Sequence, residues 1–238
     1  MLTILVPILN EEKLICNAIN NLNELLSELD DHDHHIKVLV SDGGSVDKTL
    51  ELAGKCIKNF NFELLTNKLV KPSIGKTINQ GLERIQDGTV LVLPVDCEIT
   101  LDNLKFIINE SQKPEFSYGG FAKRYQHSNA LMRLYATSQN FIRTRLSSNF
   151  VWTNGIFFKM EVTKVVTISE EGFMEDVIFS DDLKRNFKAT YGEMPIIVGS
   201  RLYDKDGQLK RILINGLIML IYRIGFKNKN ILKFIYKL

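Results

Sequence analysis

The sequence predicts an α/β protein in which helices cover both faces of a mostly parallel central sheet. Short apolar runs alternate with amphipathic stretches through the first half of the chain, which is the rhythm of βαβ units. One run, residues 89–95, is a continuous segment rich in β-branched residues, as in a buried central strand. The 238 residues, 45% of them hydrophobic, are enough for one large domain with a sizeable core.

The elements of the first half follow from these periods. Apolar runs predict strands over residues 3–9, 36–40, 60–65 and 89–95. Helices are predicted between and after them, over residues 11–29, 46–57, 74–85 and 101–109. In the first helix, Leu14, Leu22 and Leu25 share one face at the spacing of an amphipathic helix.

The second half of the chain is less regular. Strands are predicted over residues 116–122, 151–159 and 190–198. Helices are predicted over residues 129–146, 176–187, 209–224 and 228–236. Gly225 separates the last two helices, where a left-handed residue would end the first of them.

Charge is distributed unevenly along the chain. The overall net charge of +2 gives no nucleic-acid footprint, and we expect no nucleic-acid partner. Residues 201–238 carry a net charge of +7, whereas the first 200 residues carry −5. A basic segment of this kind suggests contact with an anionic surface.

The C-terminal segment also has an apolar stripe. Basic residues surround it, which suits an interfacial helix on anionic lipid, and the alternative is an amphipathic helix packed on the core. The apolar positions are Ile212, Leu213, Leu217, Leu220 and Ile221. The basic positions are Lys210, Arg211, Arg223, Lys227 and Lys229.

The cysteine pattern and the termini bear on the cellular compartment. Cys16, Cys56 and Cys97 lie about 40 residues apart, so the pattern predicts neither a zinc site nor a disulfide framework and favours a reducing cytoplasm. The N-terminus passes directly into a strand-like run, so no signal peptide is expected. The longest apolar run, residues 212–221, is too short to cross a bilayer.

Polar residues follow the first two predicted strands. Asn10 and Glu11 come after the first strand, which contains Pro7, and Asp42 and Gly43 follow the second. Asp42 is placed to accept hydrogen bonds from a base or a ribose, and Gly43 lets a ligand approach the backbone. We expect Ser45 to cap the next helix and Asp47 to lie in its first turn. The alternative is an ordinary capped turn.

Two further clusters suit phosphate and metal chemistry. Lys76, after Gly75, opens a predicted helix, and a cation beside a helix N-terminus favours phosphate; the alternative is a solvated lysine. Asp96 and Glu98 follow the fourth strand and offer hard oxygen ligands suited to Mg²⁺ or Mn²⁺; the alternative is a pair of solvated acids. The sequence has no P-loop motif and no dinucleotide fingerprint after its first strand.

The second half holds a candidate general base. Glu175 and Asp176 precede a predicted helix, where one carboxylate could deprotonate an attacking hydroxyl; the alternative is charge complementing the helix dipole. Trp152, Asn154 and Gly155 are candidates for an acceptor pocket, although an aromatic residue at a strand more often lies in the core. We interpret the His- and Asp-rich tract at residues 30–35 as a solvated loop.

The order of these clusters resembles that of family 2 glycosyltransferases with the GT-A fold. The chain is most similar to a subgroup of small, stand-alone bacterial proteins, and the resemblance covers nearly its whole length. The motifs that carry it are Asp42-Gly43-Gly44-Ser45, Asp96 after a strand, and Met174-Glu175-Asp176-Val177. Three positions depart from the subgroup pattern. Glu98 stands where the pattern has Asp, Pro94 stands where the subgroup often has His, and Thr153-Asn154 replaces an Asp-Gln pair.

The resemblance implies a donor site, a metal site and a catalytic base. The cofactors it implies are a nucleotide-diphosphate-sugar, with UDP-sugar favoured, and a divalent cation, Mn²⁺ or Mg²⁺. Asp176 would be the general base with Glu175 beside it, Asp96 and Glu98 would bind the metal, and Trp152, Asn154 and Gly155 would contact the acceptor. The implied donor site consists of Pro7, Asn10, Glu11, Asp42, Gly43, Lys76, Asn79 and Asp96.

The resemblance also implies a domain organisation and a reaction. A catalytic domain would cover residues 1–200, with a nucleotide-binding half to about residue 100 and an acceptor half beyond it, followed by a helical tail over 201–238. The reaction would be inverting transfer of a sugar to the hydroxyl of a glycan or lipid-linked acceptor, in the cytoplasm or at the inner membrane face. The alternatives are a catalytically degenerate GT-A binding module at the membrane surface and a sugar-nucleotide nucleotidyltransferase.

Overall fold

The computed structural model describes residues 1–29, 36–58, 60–66, 69, 71–226 and 228–237. The tract at residues 30–35, predicted to be a solvated loop, lies outside the described residues, and so does Lys227 of the predicted basic set. Nothing is described of the side chain of Lys229.

Eight strands and nine α-helices are described in this part of the chain. The strands are β1 (Leu2–Ile8), β2 (Ile36–Asp42), β3 (Phe62–Thr66), β4 (Thr89–Val92), β5 (Cys97–Glu98), β6 (Tyr118–Tyr125), β7 (Phe157–Lys159) and β8 (Ala189–Val198). The helices are α1 (Ile15–Ser27), α2 (Thr49–Ile57), α3 (Ile74–Leu82), α4 (Leu101–Ser111), α5 (Ala130–Ser138), α6 (Glu175–Asn186), α7 (Arg201–Asp206), α8 (Gln208–Arg223) and α9 (Lys229–Tyr236).

All eight strands form one sheet, in the order β3-β2-β1-β4-β7-β6-β8-β5. Strands β3, β2, β1 and β4 are parallel to one another, β7 runs antiparallel between β4 and β6, β6 and β8 are parallel, and β5 pairs antiparallel with β8. The predicted α/β class with a mostly parallel sheet is therefore confirmed. The loops after β1, β2 and β4 all leave the same edge of the sheet, because parallel strands share their C-terminal edge.

The sheet is buried on both faces, as the continuous apolar run of β4 predicts. Neighbouring residues of β1 belong to different core clusters: Ile4 packs with the cluster that includes residues of α1 and α2, and Leu5 with the one that includes residues of α3 and α6. Aromatic rings fill the second half, where the rings of Phe121 and Phe157 lie 5.2 Å apart between centroids. This core holds the strand ends at fixed positions.

Several predicted elements differ in extent from the observed ones. The strand predicted over residues 89–95 ends at Val92, and Pro94 lies in a turn in which its carbonyl accepts from Cys97 N at 2.9 Å. The helix predicted over 129–146 is α-helical only to Ser138 and continues as a π-helix over Gln139–Leu146. The strand predicted over 151–159 begins as a 3₁₀ turn and becomes β7 only at Phe157.

The expectation of no disulfide is wrong for one pair of cysteines. Cys16 of α1 and Cys56 of α2 form a disulfide, whereas Cys97 is a buried free thiol. The sulfurs meet because α1 and α2 pack side by side on one face of the parallel strands, which a separation of 40 residues does not reveal. The disulfide therefore joins the first two crossover helices of the sheet.

Two of the predicted surface cations of the basic tail make internal contacts: Arg211 bonds within the tail, and Arg223 joins the tail to α6. Arg211 is only 6% exposed; it pairs with Asp206, and its Nη1 donates to Tyr236 O at 3.0 Å. Arg223 Nη1 contacts both oxygens of Asp181 at 3.0 Å. Arg211 is therefore withdrawn from the outer surface that the stripe pattern predicted, whereas Arg223 stays exposed beside its partner. Within the described ranges, no helix combines the length and apolarity needed to cross a membrane.

Candidate functional site

The loops after β1 and β2 are joined to each other by hydrogen bonds. Asn10 adopts a left-handed backbone, with φ of 55°, which asparagine tolerates better than most residues. Its Oδ1 accepts from Val46 N and its N donates to Ser45 Oγ, both at 2.9 Å. Glu11 N donates to Thr49 Oγ1 at 2.6 Å. The two loops, residues 9–14 and 43–48, are therefore joined into one surface at the C-terminal edge of the sheet, which we call the ledge.

Asp42 shapes the second of these loops from within. The side chain is 2% exposed and accepts from Gly44 N at 3.0 Å and from Ser45 Oγ at 2.6 Å. The prediction that Ser45 caps α2 is therefore wrong, because the Ser45 hydroxyl donates to Asp42. Asp47 accepts from Thr49 N at 2.9 Å at the start of α2 instead.

Pro7 lies in the strand that precedes the first loop of the ledge, and Gly43 is the first residue of the second loop. Pro7 is within β1, opposite Ser41 of β2. Gly43 N donates to Ile8 O at 2.9 Å, and a Cβ at Gly43 would lie 2.5 Å from Thr77 Oγ1 of α3. A glycine is needed here because the loop and α3 approach each other so closely.

A cation from the tail joins the loops after β1 and β4. Arg201, in the first turn of α7, contacts Glu11 Oε2 at 2.9 Å through Nη1 and Asp96 Oδ2 at 3.7 Å through Nη2. The hydrogen bonds that Arg201 donates to Glu11 raise the pKa of the guanidinium above its usual range. Glu11 and Asp96, 85 residues apart in sequence, therefore share one positive charge at the edge of the sheet.

The oxygen chemistry of this pair fits a hard divalent ion. Two carboxylates that already share one cation have the ligand type that Mg²⁺ and Mn²⁺ prefer. Glu98 lies on β5, pairs across the strand with Ile197, and is exposed. Among the described residues, no group of three or more His, Cys, Asp or Glu side chains is arranged to hold a metal ion. A metal here would therefore need oxygens from a ligand or from water.

The start of α6 packs against the start of α3. Glu175 is 5% exposed, and its Oε1 accepts from Gly75 N at 3.3 Å. Burial raises the pKa of the Glu175 carboxyl, and the negative charge of Asp176 adds to the effect. Asn79 Nδ2 donates to Ile168 O at 3.1 Å and to Glu170 Oε1 at 3.0 Å. The predicted donor residue Asn79 therefore anchors the segment that leads to α6.

Lys76 and Asp176 lie in the first turns of these two helices. Lys76 N donates to Ser73 Oγ at 3.1 Å, so Ser73 caps α3. Asp176 is partly buried, and its Oδ1 accepts from Val177 N at 2.8 Å. Met174, just before α6, has a φ of 55°, an uncommon backbone for methionine that turns the chain sharply into the helix.

Two buried cations respond to the charge of Asp176. Lys123 is 6% exposed; burial and the positive charge of Arg143 lower its pKa to about 8, while Asp176 opposes this. Arg143 Nε donates to Asn149 Oδ1 at 2.8 Å, and its pKa is lowered by burial and raised by Asp176. Cys97, next to Asp96, also acts on Lys123. The pKa values of Lys123 and Arg143 therefore both depend on the charge of Asp176.

The three predicted acceptor residues are built into the core. Trp152 is 4% exposed, and its ring lies 5.7 Å from that of Phe179. Asn154 is fully buried; its Nδ2 donates to Phe121 O at 2.8 Å and its Oδ1 accepts from Val151 N at 3.1 Å. Gly155 ends the 3₁₀ turn with φ of 54°. In the described part of the chain, Trp152 Nε1 is buried without a hydrogen-bond partner.

Gly75 offers a test of the contact between α3 and the segment before α6. A Cβ at this position would lie 2.1 Å from Ser169 O, so Gly75→Ala must displace backbone. We expect it to lower the free energy of unfolding by about 1–3 kcal/mol in urea titration. Gly216→Ala in α8 is the control, because its Cβ would meet nothing within 4 Å. Equal stability of the two variants would contradict the close approach.

Comparisons with known proteins identify the family of the chain. The family model described as "Glycosyl transferase family 2" matches residues 3–167. The chain belongs to this family. A search of the curated proteins finds no significant match. The recognition made from the sequence is therefore confirmed at the level of the family.

Solved structures confirm the GT-A fold of this family 2 chain. It matches S. aureus TarS 1-349 with a TM-score of 0.66 and 16% identity, over 90% of this chain and 64% of that one. It matches mannosyltransferase PcManGT from Pyrobaculum calidifontis, in complex with GDP-Man and Mn²⁺, with a TM-score of 0.65 and 17% identity, over 94% and 63%. The chain therefore spans less than two thirds of these proteins.

A third similar structure is a complex that contains phosphoglyceric acid as well as UDP and Mn²⁺. Glucosyl-3-phosphoglycerate synthase from Mycobacterium tuberculosis, in complex with Mn²⁺, UDP and phosphoglyceric acid, matches with a TM-score of 0.61 and 16% identity. The match covers 96% of this chain and 80% of that one. At this identity the likeness establishes the fold alone.

Sequence reasoning missed Arg201, Lys123 and Arg143. Arg201 was counted only as part of a basic tail, and it lies 190 residues from Glu11. Lys123 carried one signal that was available from the sequence, because it is a charged residue following the apolar Phe121-Ala122 of a predicted strand. Arg143 carried no such signal, since its burial depends on the π-helix.

Proposed function

We propose that this family 2 chain is an inverting glycosyltransferase that moves a sugar from a nucleotide-diphosphate donor, with UDP-sugar favoured, to an acceptor hydroxyl. The observation that carries the proposal is the sharing of Arg201 by Glu11 and Asp96, at the C-terminal edge of the sheet. Ligands of open α/β sheets bind at this edge. The structural neighbours support the donor class, because they include complexes with UDP-GlcNAc, GDP-Man and UDP.

The donor would lie on the ledge formed by the first two loops. Asn10, Asp42 and Gly43 would face the base and ribose beside Pro7, while Lys76 and Asn79 of α3 would border the site from the other side. Asp42 uses both oxygens within its own loop, so it would act mainly by holding the loop amides in place. Preorganised donors of this kind cost no reorganisation when the ligand arrives.

A divalent cation would be held by Asp96, with Glu11 nearby and Glu98 as the second predicted ligand. When bound, it would supply positive charge to the departing diphosphate. Arg201 lies at the same carboxylates and supplies one positive charge of its own. The two carboxylates therefore attract positive charge, from Arg201 or from a metal ion. This positive charge would in turn attract the diphosphate of the donor.

Asp176 would act as the general base. It would take the proton of the acceptor hydroxyl, and the oxygen would attack the anomeric carbon from the face opposite the diphosphate, which inverts the configuration. Glu175 would fix the start of α6 through its bond to Gly75. Holding donor and acceptor in line would supply much of the remaining acceleration.

The experiment that tests the function is donor binding followed by donor hydrolysis. A thermal-shift screen of nucleotide sugars and nucleoside diphosphates, with and without Mn²⁺, should identify at least one that raises the unfolding midpoint. Slow release of nucleoside diphosphate from that sugar donor should follow. Binding without release would favour the degenerate binding module, and the absence of any binding would contradict the proposal.

We also propose that the acceptor side can contact a lipid surface through α8. Leu209, Leu213, Leu217, Leu220 and Ile224 are all exposed, at positions that repeat every three or four residues along the helix. The π-helix beyond α5 adds exposed Phe141 and Ile142. An apolar stripe of this length, flanked by Lys205 and Lys210, suits the headgroup region of an anionic bilayer.

Vesicle flotation tests this surface. Leu213→Glu combined with Leu220→Glu should abolish co-flotation with anionic vesicles at low salt, because charge on the stripe opposes insertion. Val165→Glu is the control, since Val165 is 60% exposed but lies outside the stripe. The idea of a lipid surface fails when the unaltered chain does not float, or when the double variant floats equally well.

A further inference from the structure

An open cavity beside β6 and β8 has a strongly basic lining. It measures about 420 Å³ and lies where the two strands are out of register after Phe121. Its walls carry Lys123, Arg124, Arg133 and Arg145. One acid, Glu193, is also present, and it pairs with Arg145 at 3.1 Å. The cavity therefore keeps a clear excess of positive charge.

Lys123 is the buried cation of this cavity. Its backbone is clamped by Asn140, which accepts from Lys123 N and donates to Lys123 O, both at 2.9 Å. Its Nζ lies 5.8 Å from the centre of the Tyr125 ring. Within the described ranges, no carboxylate forms a salt bridge with it. A buried ammonium placed in this way gains from any anion that enters, because burial weakens its contact with water.

Arg143 is a second cation whose charge acts on Lys123. Arg143 follows Asn140 by three residues on the π-helix, and its positive charge lowers the pKa of Lys123. Among the described residues, Arg143 Nη2 is buried and has no hydrogen-bond partner. Buried donors are nearly always satisfied, so this guanidinium nitrogen retains the capacity to donate to one more acceptor.

The cavity leads toward the proposed catalytic groups. A neighbouring cavity shares Arg124, Tyr125 and Arg133 with it and reaches Glu98, two residues from Asp96. In the other direction, the charge of Asp176 acts on both Lys123 and Arg143. The cavity therefore adjoins a second one that borders Glu98, and its buried cation Lys123 is subject to the charge of Asp176.

We propose that this basic cavity receives a phosphate or carboxylate group of the acceptor, so that the acceptor of this glycosyltransferase is an anionic hydroxyl compound. Lys123 would bind the acidic group, the positive charge of Arg143 would add to the attraction, and Arg124 and Arg133 would border its path. The inference rests on the proposed function, because it names the acceptor class of that reaction. It concerns binding and orientation of the acceptor, and assigns no proton transfer to Lys123.

The probe is glycerol 3-phosphate, with glycerol as its uncharged counterpart, measured by calorimetry in the presence of saturating nucleoside diphosphate and Mn²⁺. The unaltered chain should bind glycerol 3-phosphate and not glycerol. Lys123→Met, which keeps the length of the side chain and removes its charge, should bind about tenfold more weakly or worse. Lys105→Met on α4 is the control, because Lys105 is exposed and lies outside the cavity.

Two further variants keep the test decisive. Arg133→Gln changes an exposed wall residue, folds without burying new groups, and should weaken binding several-fold. Arg143→Lys keeps the charge and should bind better than Arg143→Met. Equal binding by Lys123→Met and Lys105→Met, or no binding of glycerol 3-phosphate by the unaltered chain, would overturn the inference. Nucleoside-diphosphate binding retained in every variant would leave the proposed function standing in that case.

Discussion

Asp176→Asn is expected to lower the rate of sugar transfer by about 10²–10⁴-fold, while nucleoside-diphosphate affinity stays within about threefold of the unaltered chain. An amide cannot accept the proton of the attacking hydroxyl. The fold should be preserved, because asparagine keeps the oxygen that accepts from Val177 N at 2.8 Å. Initial rates of product formation, with donor affinity measured separately by calorimetry, check both parts.

Asp182→Asn is a matched control for this substitution. Asp182 lies on the same helix, and its carboxylate pairs with Arg185 at 2.6 Å on the surface. Exposed pairs of this kind contribute only about 0–1 kcal/mol, so transfer should remain near the original rate. Similar rates for the two variants, or unchanged turnover by Asp176→Asn, would remove Asp176 from the role of base.

The parallel half of the fold was predictable because local signals and tertiary context agree there. β1, β2 and β4 are short apolar runs separated by amphipathic stretches, and both periods can be read along the chain. Their loops could also be predicted, since polar residues follow each strand and parallel strands share an edge. The ledge that joins Asn10 to Ser45 and Val46 is the physical outcome of that shared edge.

Other features depend on contacts between residues that are distant in sequence. The disulfide between Cys16 and Cys56 depends on the packing of two helices, and no spacing rule reveals it. Ser45 does not cap α2 because its hydroxyl donates to Asp42 and accepts from the backbone N of Asn10, which is distant in sequence. Similarly, Arg201 lies near Asp96 because the end of β8 brings the chain back to it, where Gly199 N donates to Asp96 O.

The antiparallel insertion of β7 is a further example. Phe157 pairs with Leu91 on one side and Gly119 on the other, so this strand of three residues connects the two halves of the sheet. Its apolar residues read equally well as part of a longer strand, which is what the sequence predicted. The break at Trp152–Asn154 arises because Asn154 turns inward to bond Phe121 O, a partner 33 residues away.

Asp96→Asn is expected to abolish the effect of Mn²⁺ on donor binding and to lower transfer by about 10²–10³-fold. The neutral amide removes one of the two negative charges that share Arg201, so a divalent ion proposed to bind there would lose a ligand and hold the diphosphate less well. Glu63→Gln is a suitable control, because Glu63 is an exposed acid on β3, at the other edge of the sheet from β5. Thermal shift with nucleoside diphosphate, titrated with Mn²⁺, measures the effect.

Arg201→Met separates the metal from the guanidinium as the source of positive charge. Arg201 contacts Glu11 and Asp96, so a metal ion and this side chain compete for the same oxygens. Removing the guanidinium should lower the Mn²⁺ concentration needed for half of the thermal shift, and should weaken donor binding in the absence of Mn²⁺. The opposite change in Mn²⁺ requirement would mean that Arg201 supports metal binding, and the competition inferred from the two salt bridges would then be wrong.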